Sequence, residues 1–119
     1  MVERSERFDV RMSVGEHAVD MWAVGEVDLA TVGTLRGALW AAPPRPVLRL
    51  DLSGVRLLAA TGVRALVAAH LRIRARGGEL VLVDPDPVVT RVLRATGLHR
   101  VIPICRTTST RPECDLVAA

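Results

Sequence analysis

In the segment PVLRLDLS, Leu48, Leu50 and Leu52 fall on one side of an extended chain and Arg49 and Asp51 on the other. A strand covered by helices on both faces is apolar throughout. One polar face therefore restricts the architecture to a sheet with helices packed on one side only.

The neighbouring segments fit that frame. Phe8, Val10, Met12 and Val14 alternate with Asp9, Arg11 and Ser13, which predicts a half-buried strand. Gly15-Glu16 suits a two-residue hairpin turn, and Val19, Met21 and Ala23 continue the buried face of a second strand, with Asp20, Trp22 and Val24 on its reverse. The period then changes. Val32, Leu35, Ala38 and Leu39 share a helical face, Asp28 or Thr31 can cap its start, and Pro43-Pro44 ends it. After the strand PVLRLDLS, a helix is expected from about Thr61 to Arg76. Val63, Leu66, Val67 and His70 form its inner side, and Gly77-Gly78 stops it. ELVLVD reads as a fourth strand, DPDPVVTRVLRATGLHR as a helix with proline near its start and Gly97 past its end, and VIPI as a fifth strand. Thr110 and Glu113 stand at capping-box spacing ahead of a short final helix, RPECDLVAA. The result is one α/β domain over residues 1–119, a mixed sheet of about five strands with about four helices mainly on one face.

Composition narrows the function. The chain has no Lys, Asn or Gln, a bias of GC-rich bacterial genomes, and its formal charge is +3. Arg72, Arg74 and Arg76 cluster at a helix end, where they complement the dipole, and the other arginines are scattered. No nucleic-acid stripe emerges. No apolar run is long enough to span a bilayer, and MVERSERFDV lacks the apolar core of a signal peptide. A cytoplasmic location is expected, with Cys105 and Cys114 as reduced thiols. Two cysteines without a His pair do not make a metal site.

Motifs of chemistry are missing. The sequence has no GxxxxGK[ST], GxGxxG, HExxH or GxSxG pattern. His70 sits on an apolar helix stripe as a packing residue, and Glu26 and Asp28 stand where capping is routine. The chain reads as a binding protein without enzymatic activity or cofactor. The remaining candidate is the strand–helix junction DLSGVRLLAATGVRALVAAH. There Thr61 reads as an N-cap hydroxyl, or as a hydroxyl that takes a phosphate, with Arg64 as its charge-assisted partner.

That junction and two other segments resemble the STAS domains of anti-sigma-factor antagonists. GEVD resembles the family's Gly-Glu-[Leu/Ile/Val]-Asp. LRLDLSGVRLLAATGVRALVAAH resembles its Asp-Leu-Ser-x-Val-x-Phe-[Leu/Met]-Asp-Ser-[Ser/Thr]-Gly-Leu pattern. GGELVLVDPDPVVTRVLRATGLHRVIPI resembles the strand, Pro loop, Arg-Val-Leu helix and Thr-Gly-Leu exit that follow. The resemblance covers nearly the whole chain. It implies a STAS fold that docks an anti-sigma factor, a serine kinase of the GHKL fold, and so releases a sigma factor for transcription, as in stress responses. In that family the kinase phosphorylates the Ser of Asp-Ser-[Ser/Thr]-Gly and so breaks the complex. Here Ala59 stands at the Asp, Ala60 at the Ser, Thr61 at the next hydroxyl residue and Gly62 at the Gly. Arg64 stands where the family often has a small residue.

The resemblance places the partner surface at Glu26, Asp28, Ala59, Ala60, Thr61, Gly62 and Arg64. Three readings of the emptied loop are open: an antagonist that is always competent, a switch moved to Thr61, and a non-switching scaffold or subunit of another assembly, such as a stress-signalling complex or a lipid transporter. A one-residue shift turns a helical side chain by about 100°, which counts against Thr61. The one-sided sheet and Trp22 leave room for a homodimer, and Cys105 and Cys114 are a candidate redox pair.

Overall fold

The computed structural model describes residues 7–107 in full and, beyond them, the backbone of the strands Val2–Ser5 and Pro112–Asp115. The described residues form one seven-stranded sheet whose spatial order is the chain order, β1-β2-β3-β4-β5-β6-β7. The strands are β1 (Val2–Ser5), β2 (Phe8–Val14), β3 (Ala18–Val27), β4 (Val47–Leu58), β5 (Glu79–Val83), β6 (Ile104–Thr107) and β7 (Pro112–Asp115). β3 through β6 run parallel, and β1, β2 and β7 pair antiparallel at the two edges. The helices α1 (Val32–Ala41), α2 (Ala60–Ala75) and α3 (Pro87–Ala95) fill the three parallel crossovers. Because β3 to β6 follow in consecutive order and such crossovers are right-handed, all three helices fall on one face.

The α/β class, the mixed sheet and the one-sided packing are as the sequence implies. Phe8, Val10, Val19, Met21, Leu48, Leu50, Leu80 and Leu82 point inward and are buried, and they meet Leu35, Leu39, Leu66, Ile73, Val89 and Leu93 from the helices. Asp20, Trp22, Arg49 and Asp51 project from the reverse, where Arg49 grips Asp20 through Nε at 2.6 Å and Nη2 at 3.1 Å. The expected stops are present. Gly77, at φ 80°, follows α2, with Gly78 N–H donating to Ile73 O at 2.9 Å. Asp86 caps α3 by accepting from Val89 N–H at 2.8 Å, with Pro87 opening the helix.

Several expectations are corrected. Gly15 N–H bonds Ala18 O at 2.8 Å, so the two-residue turn is Glu16-His17 rather than Gly15-Glu16. The inner face of α2 is Gly62, Ala65, Leu66, Ala69, His70 and Ile73, while Val63 and Val67 are half-buried. Small residues turned inward let the helix sit close on the sheet. VIPI contributes only its final residue to β6, since Leu98–Arg100 forms a short 3-10 turn ahead of it. The expected final helix is absent from Pro112–Asp115, which is strand β7. Thr110, its supposed cap, lies outside the described residues.

The cysteines are corrected with it. Cys105 is disulfide-bonded rather than a reduced thiol, and the register of β6 with β7 sets Cys114 directly opposite. Opposed residues of an antiparallel pair have Cα atoms about 4.5–5.5 Å apart, within disulfide reach. A helical Cys114 would not have that register.

His70 is 6% exposed, and its Nδ1 is buried without a hydrogen-bond partner. Burial, joined by the Arg74 guanidinium, pushes its pKa below 6.5, and Glu79 opposes them. The folded state then holds the ring neutral while the unfolded chain protonates. Stability is fully present above 6.5 and declines as pH falls below it. His70→Leu is expected to remove this decline, which urea unfolding of both proteins across acidic pH reads directly. Parallel pH curves would refute it.

Candidate functional site

The junction between β4 and α2 is built by backbone, not by side-chain capping. Ala59 occupies the N-cap of α2 in an extended conformation (φ −79°, ψ 169°), and its methyl group makes no cap bond. Its carbonyl instead accepts Gly62 N–H at 2.9 Å and Val63 N–H at 3.2 Å. Its own N–H donates to Val27 O at 2.8 Å, which ties the junction to the end of β3. Gly62 makes that approach feasible: a Cβ there would stand 2.6 Å from Leu58 Cδ1 and 2.7 Å from Val27 Cγ1.

This tie brings the two halves of the expected site together. Glu26 is the penultimate residue of β3, opposite Leu57, and Asp28 opens the loop into α1. Asp28 Oδ1 accepts Ala30 N–H at 3.0 Å and Thr31 N–H at 3.1 Å. The Thr31 hydroxyl donates to Glu26 O at 2.6 Å and accepts Asp28 N–H at 3.0 Å. Thr31 is therefore the α1 N-cap residue, but its hydroxyl serves the loop rather than the helix. Arg7 spans both acids, with Nη1 at 3.1 Å from Glu26 Oε1 and Nη2 at 2.8 Å from Asp28 Oδ2. Burial would raise the Asp28 pKa, but Arg7 and the N–H bonds of Thr31 and Ala30 outweigh it and hold the carboxyl low. Asp28 is anchored as a carboxylate, not poised for proton transfer.

Around this frame the side chains divide. Ala60 is the first residue of α2 and is exposed, as is Arg64 one turn further on. The Ala60 and Thr61 N–H groups make no hydrogen bond among the described residues. Thr61 is the second helical residue, not the N-cap, and its Oγ1 is buried with no hydrogen-bond partner. Two residues that sequence reasoning passed over belong here. Arg7 locks the acids, a role visible only once β2 lies beside β3. Leu29, 80% exposed, crowns the loop from β3 into α1. Its one sequence signal is that it falls off the Val32, Leu35, Ala38, Leu39 stripe.

An empty N-cap is a correctable weakness. Ala59→Asp would offer a carboxylate to the first-turn N–H groups in a backbone conformation that already suits it, and should add about 1 kcal/mol to stability. A thermal melt beside the native protein measures the gain. An unchanged or lower Tm would mean that Asp at this position does not cap.

Comparison with known proteins places the chain in familiar company. Residues 10–104 match the family model described as Mlab, STAS domain. The anti-sigma-B factor antagonist of Listeria monocytogenes is 33% identical over 88 residues, covering 72% of this chain and 77% of that protein. The anti-sigma-F factor antagonist RsfA of Mycobacterium tuberculosis is 31% identical over 98 residues, 78% of this chain and 76% of that one. In three dimensions, an anti-sigma factor antagonist from Mycobacterium paratuberculosis superposes with a TM-score of 0.75 at 26% identity, over 86% of this chain and 87% of that structure.

Proposed function

The chain belongs to the STAS family, and from that membership we propose that it is an anti-sigma-factor antagonist whose docking loop has lost its phosphoswitch. Its work is binding rather than turnover. Relatives similar over about three quarters of their length carry the name anti-sigma factor antagonist. The observation that carries the reading is the joined surface of the β3 end and the α2 start. Leu29, Ala60 and Arg64 stand exposed there on a frame fixed by the Ala59–Val27 hydrogen bond.

The partner would be an anti-sigma factor of the GHKL kinase fold, met in the cytoplasm of a bacterium, with stress-responsive transcription as the output. Ala60 presents a methyl group where the family's acceptor serine stands, so the surface always presents its unphosphorylated form. Thr61 is a poor substitute, because a kinase would have to open the first turn of α2 to reach its buried oxygen. Leu29 serves as the apolar anchor, and Leu29→Ser should weaken the complex about tenfold in a titration. Equal affinity would remove Leu29 from the interface.

The test is to incubate the protein with the anti-sigma kinases of its own genome and ATP. Complex formation is read by co-elution and modification by intact mass. Binding without added phosphate supports the proposal. Phosphate on Thr61 overturns the loss of the switch. Absence of binding to every kinase favours the second reading, a STAS scaffold or subunit of another assembly such as a stress-signalling complex or a lipid transporter. The exposed Arg64 and the two alanines in the loop are what speak for it. A homodimer would use the bare sheet face, where Trp22 is 44% and Val24 55% exposed beside a hollow of about 600 Å3. Sedimentation of a Trp22→Ser variant reads that separately.

A further inference from the structure

We propose that the helical face, centred on Arg36, Trp40 and Arg72, docks on an anionic phospholipid surface. The proposal starts from charge. Helices α1, α2 and α3 carry Arg36, Arg64, Arg72, Arg74, Arg91 and Arg94, and not one Asp or Glu. The carboxylates of the described residues lie on strands and loops instead. The ion pairs among the described residues involve Arg7 and Arg49, so none of the six helical arginines is neutralised in this way. Since the three helices share one face, the molecule presents a cationic layer there.

The centre of that layer is organised. The Arg36 guanidinium lies 5.0 Å and that of Arg72 5.4 Å from the centroid of the same Trp40 ring. Each contact is attractive, yet it draws two like charges to one indole with no carboxylate paired to either. A phosphate oxygen from outside completes the arrangement with charge-assisted, bidentate hydrogen bonds. An indole flanked by cations is also the side-chain set that settles at the headgroup level of a bilayer.

Shape and exposed apolar residues select a lipid surface over other polyanions. Leu71 is 62% exposed beside Arg72, and Val88 is 51% exposed one turn before Arg91. Ala41, Ala75 and Ala95 are also exposed on these helices. Apolar groups between arginines gain nothing from a phosphodiester backbone, whereas the headgroup and acyl boundary accepts both. Hollows among the described residues lie on the bare sheet face and beside the C-terminal end of α2. A deformable plane needs none. Arg72 lies twelve residues beyond Ala60 on α2, about 18 Å along the axis, so the docking loop stays clear of the centre of this contact.

The test is co-sedimentation of the full chain with phosphatidylcholine vesicles, with and without phosphatidylglycerol. Binding is expected only with the anionic lipid and should fall steeply as salt rises. Arg36→Gln with Arg72→Gln should weaken it about 25-fold, about fivefold for each basic residue near the surface. The paired Lys substitutions keep the charge but lose the bidentate fork, so they should weaken binding less than the Gln pair does, and a thermal melt confirms that each variant is folded. Leu71→Ser should also weaken binding. No partition at low salt, or an undiminished double Gln variant, overturns the proposal. Duplex DNA or polyglutamate that displaces the vesicles, with no dependence on Leu71, overturns it in favour of a different polyanion.

Discussion

Ala60→Ser should give the protein a phosphate acceptor and, once phosphorylated, should weaken the proposed complex with an anti-sigma kinase about 100-fold or more. The local structure is ready for the change. Ala60 is exposed at the first position of α2, and neither its N–H nor that of Thr61 is hydrogen-bonded among the described residues. A phosphate there meets the positive end of the helix dipole and free donors. Arg64, exposed four residues on, reaches the same side of the helix and adds a charge-assisted partner. Those interactions make the phosphorylated form stable on its own, while a charge near −2 buried against a partner surface is costly to desolvate. The measurement is intact mass and co-elution after incubation with kinase and ATP. The double variant Ala59→Asp with Ala60→Ser also restores the family's acid. If both variants bind the kinase and neither takes phosphate, the loop has diverged beyond its two missing side chains and the proposed origin of the site fails.

The sequence revealed most where local rules and tertiary structure agree. The alternation of Leu48, Leu50 and Leu52 with Arg49 and Asp51 stated which face of the sheet is covered, because inward and outward positions strictly alternate. Proline at the start of α3 and Gly77 past α2 marked boundaries through backbone geometry that few other residues satisfy. Agreement ends at the sheet edges. β7 exists by pairing with β6, whereas Thr110 and Glu113 offered a local helix signal that non-local pairing overrode. The short β1 likewise gains its conformation from β2.

The site was half legible for a related reason. The proposed positions follow from resemblance to the Asp-Ser-[Ser/Thr]-Gly pattern, but the bonds that build the junction do not. The Ala59 N–H to Val27 O bond joins residues far apart in sequence through backbone atoms that every residue has. Thr61 looked like a cap because capping chemistry is a side-chain signal. The helix starts one residue earlier, and Ala59 holds the cap by conformation alone. Arg7 could not be paired with Glu26 and Asp28 before β2 and β3 were in register.

Gly25→Ala should be the most destabilising single methyl group that can be added near this site, at about 3–4 kcal/mol. Gly25 has φ 121°, a conformation that side chains rarely adopt, at a register shift between β3 and β4. A Cβ built there runs into the Arg7 carbonyl oxygen and lies 3.0 Å from Phe8 Cα. Both obstacles are backbone, so no rotamer change relieves them, and β2 must move away from β3. Arg7 O is also the acceptor of Glu26 N–H at 3.2 Å, and the Arg7 side chain holds Glu26 and Asp28. Displacing it disturbs the proposed docking surface as well as the fold, so affinity for an anti-sigma partner should fall together with a Tm loss of about 10–15 °C. Gly33→Ala is the matched control. Gly33 is exposed in α1, with nothing within 4 Å of an added Cβ and no positive φ, so alanine should raise stability by about 0.5–1 kcal/mol. Opposite signs for the same added methyl group would show that backbone conformation and close approach at Gly25, not helix or strand propensity, hold the β2–β3 end of the site in place. A Gly25→Ala protein that melts with the native one would refute this.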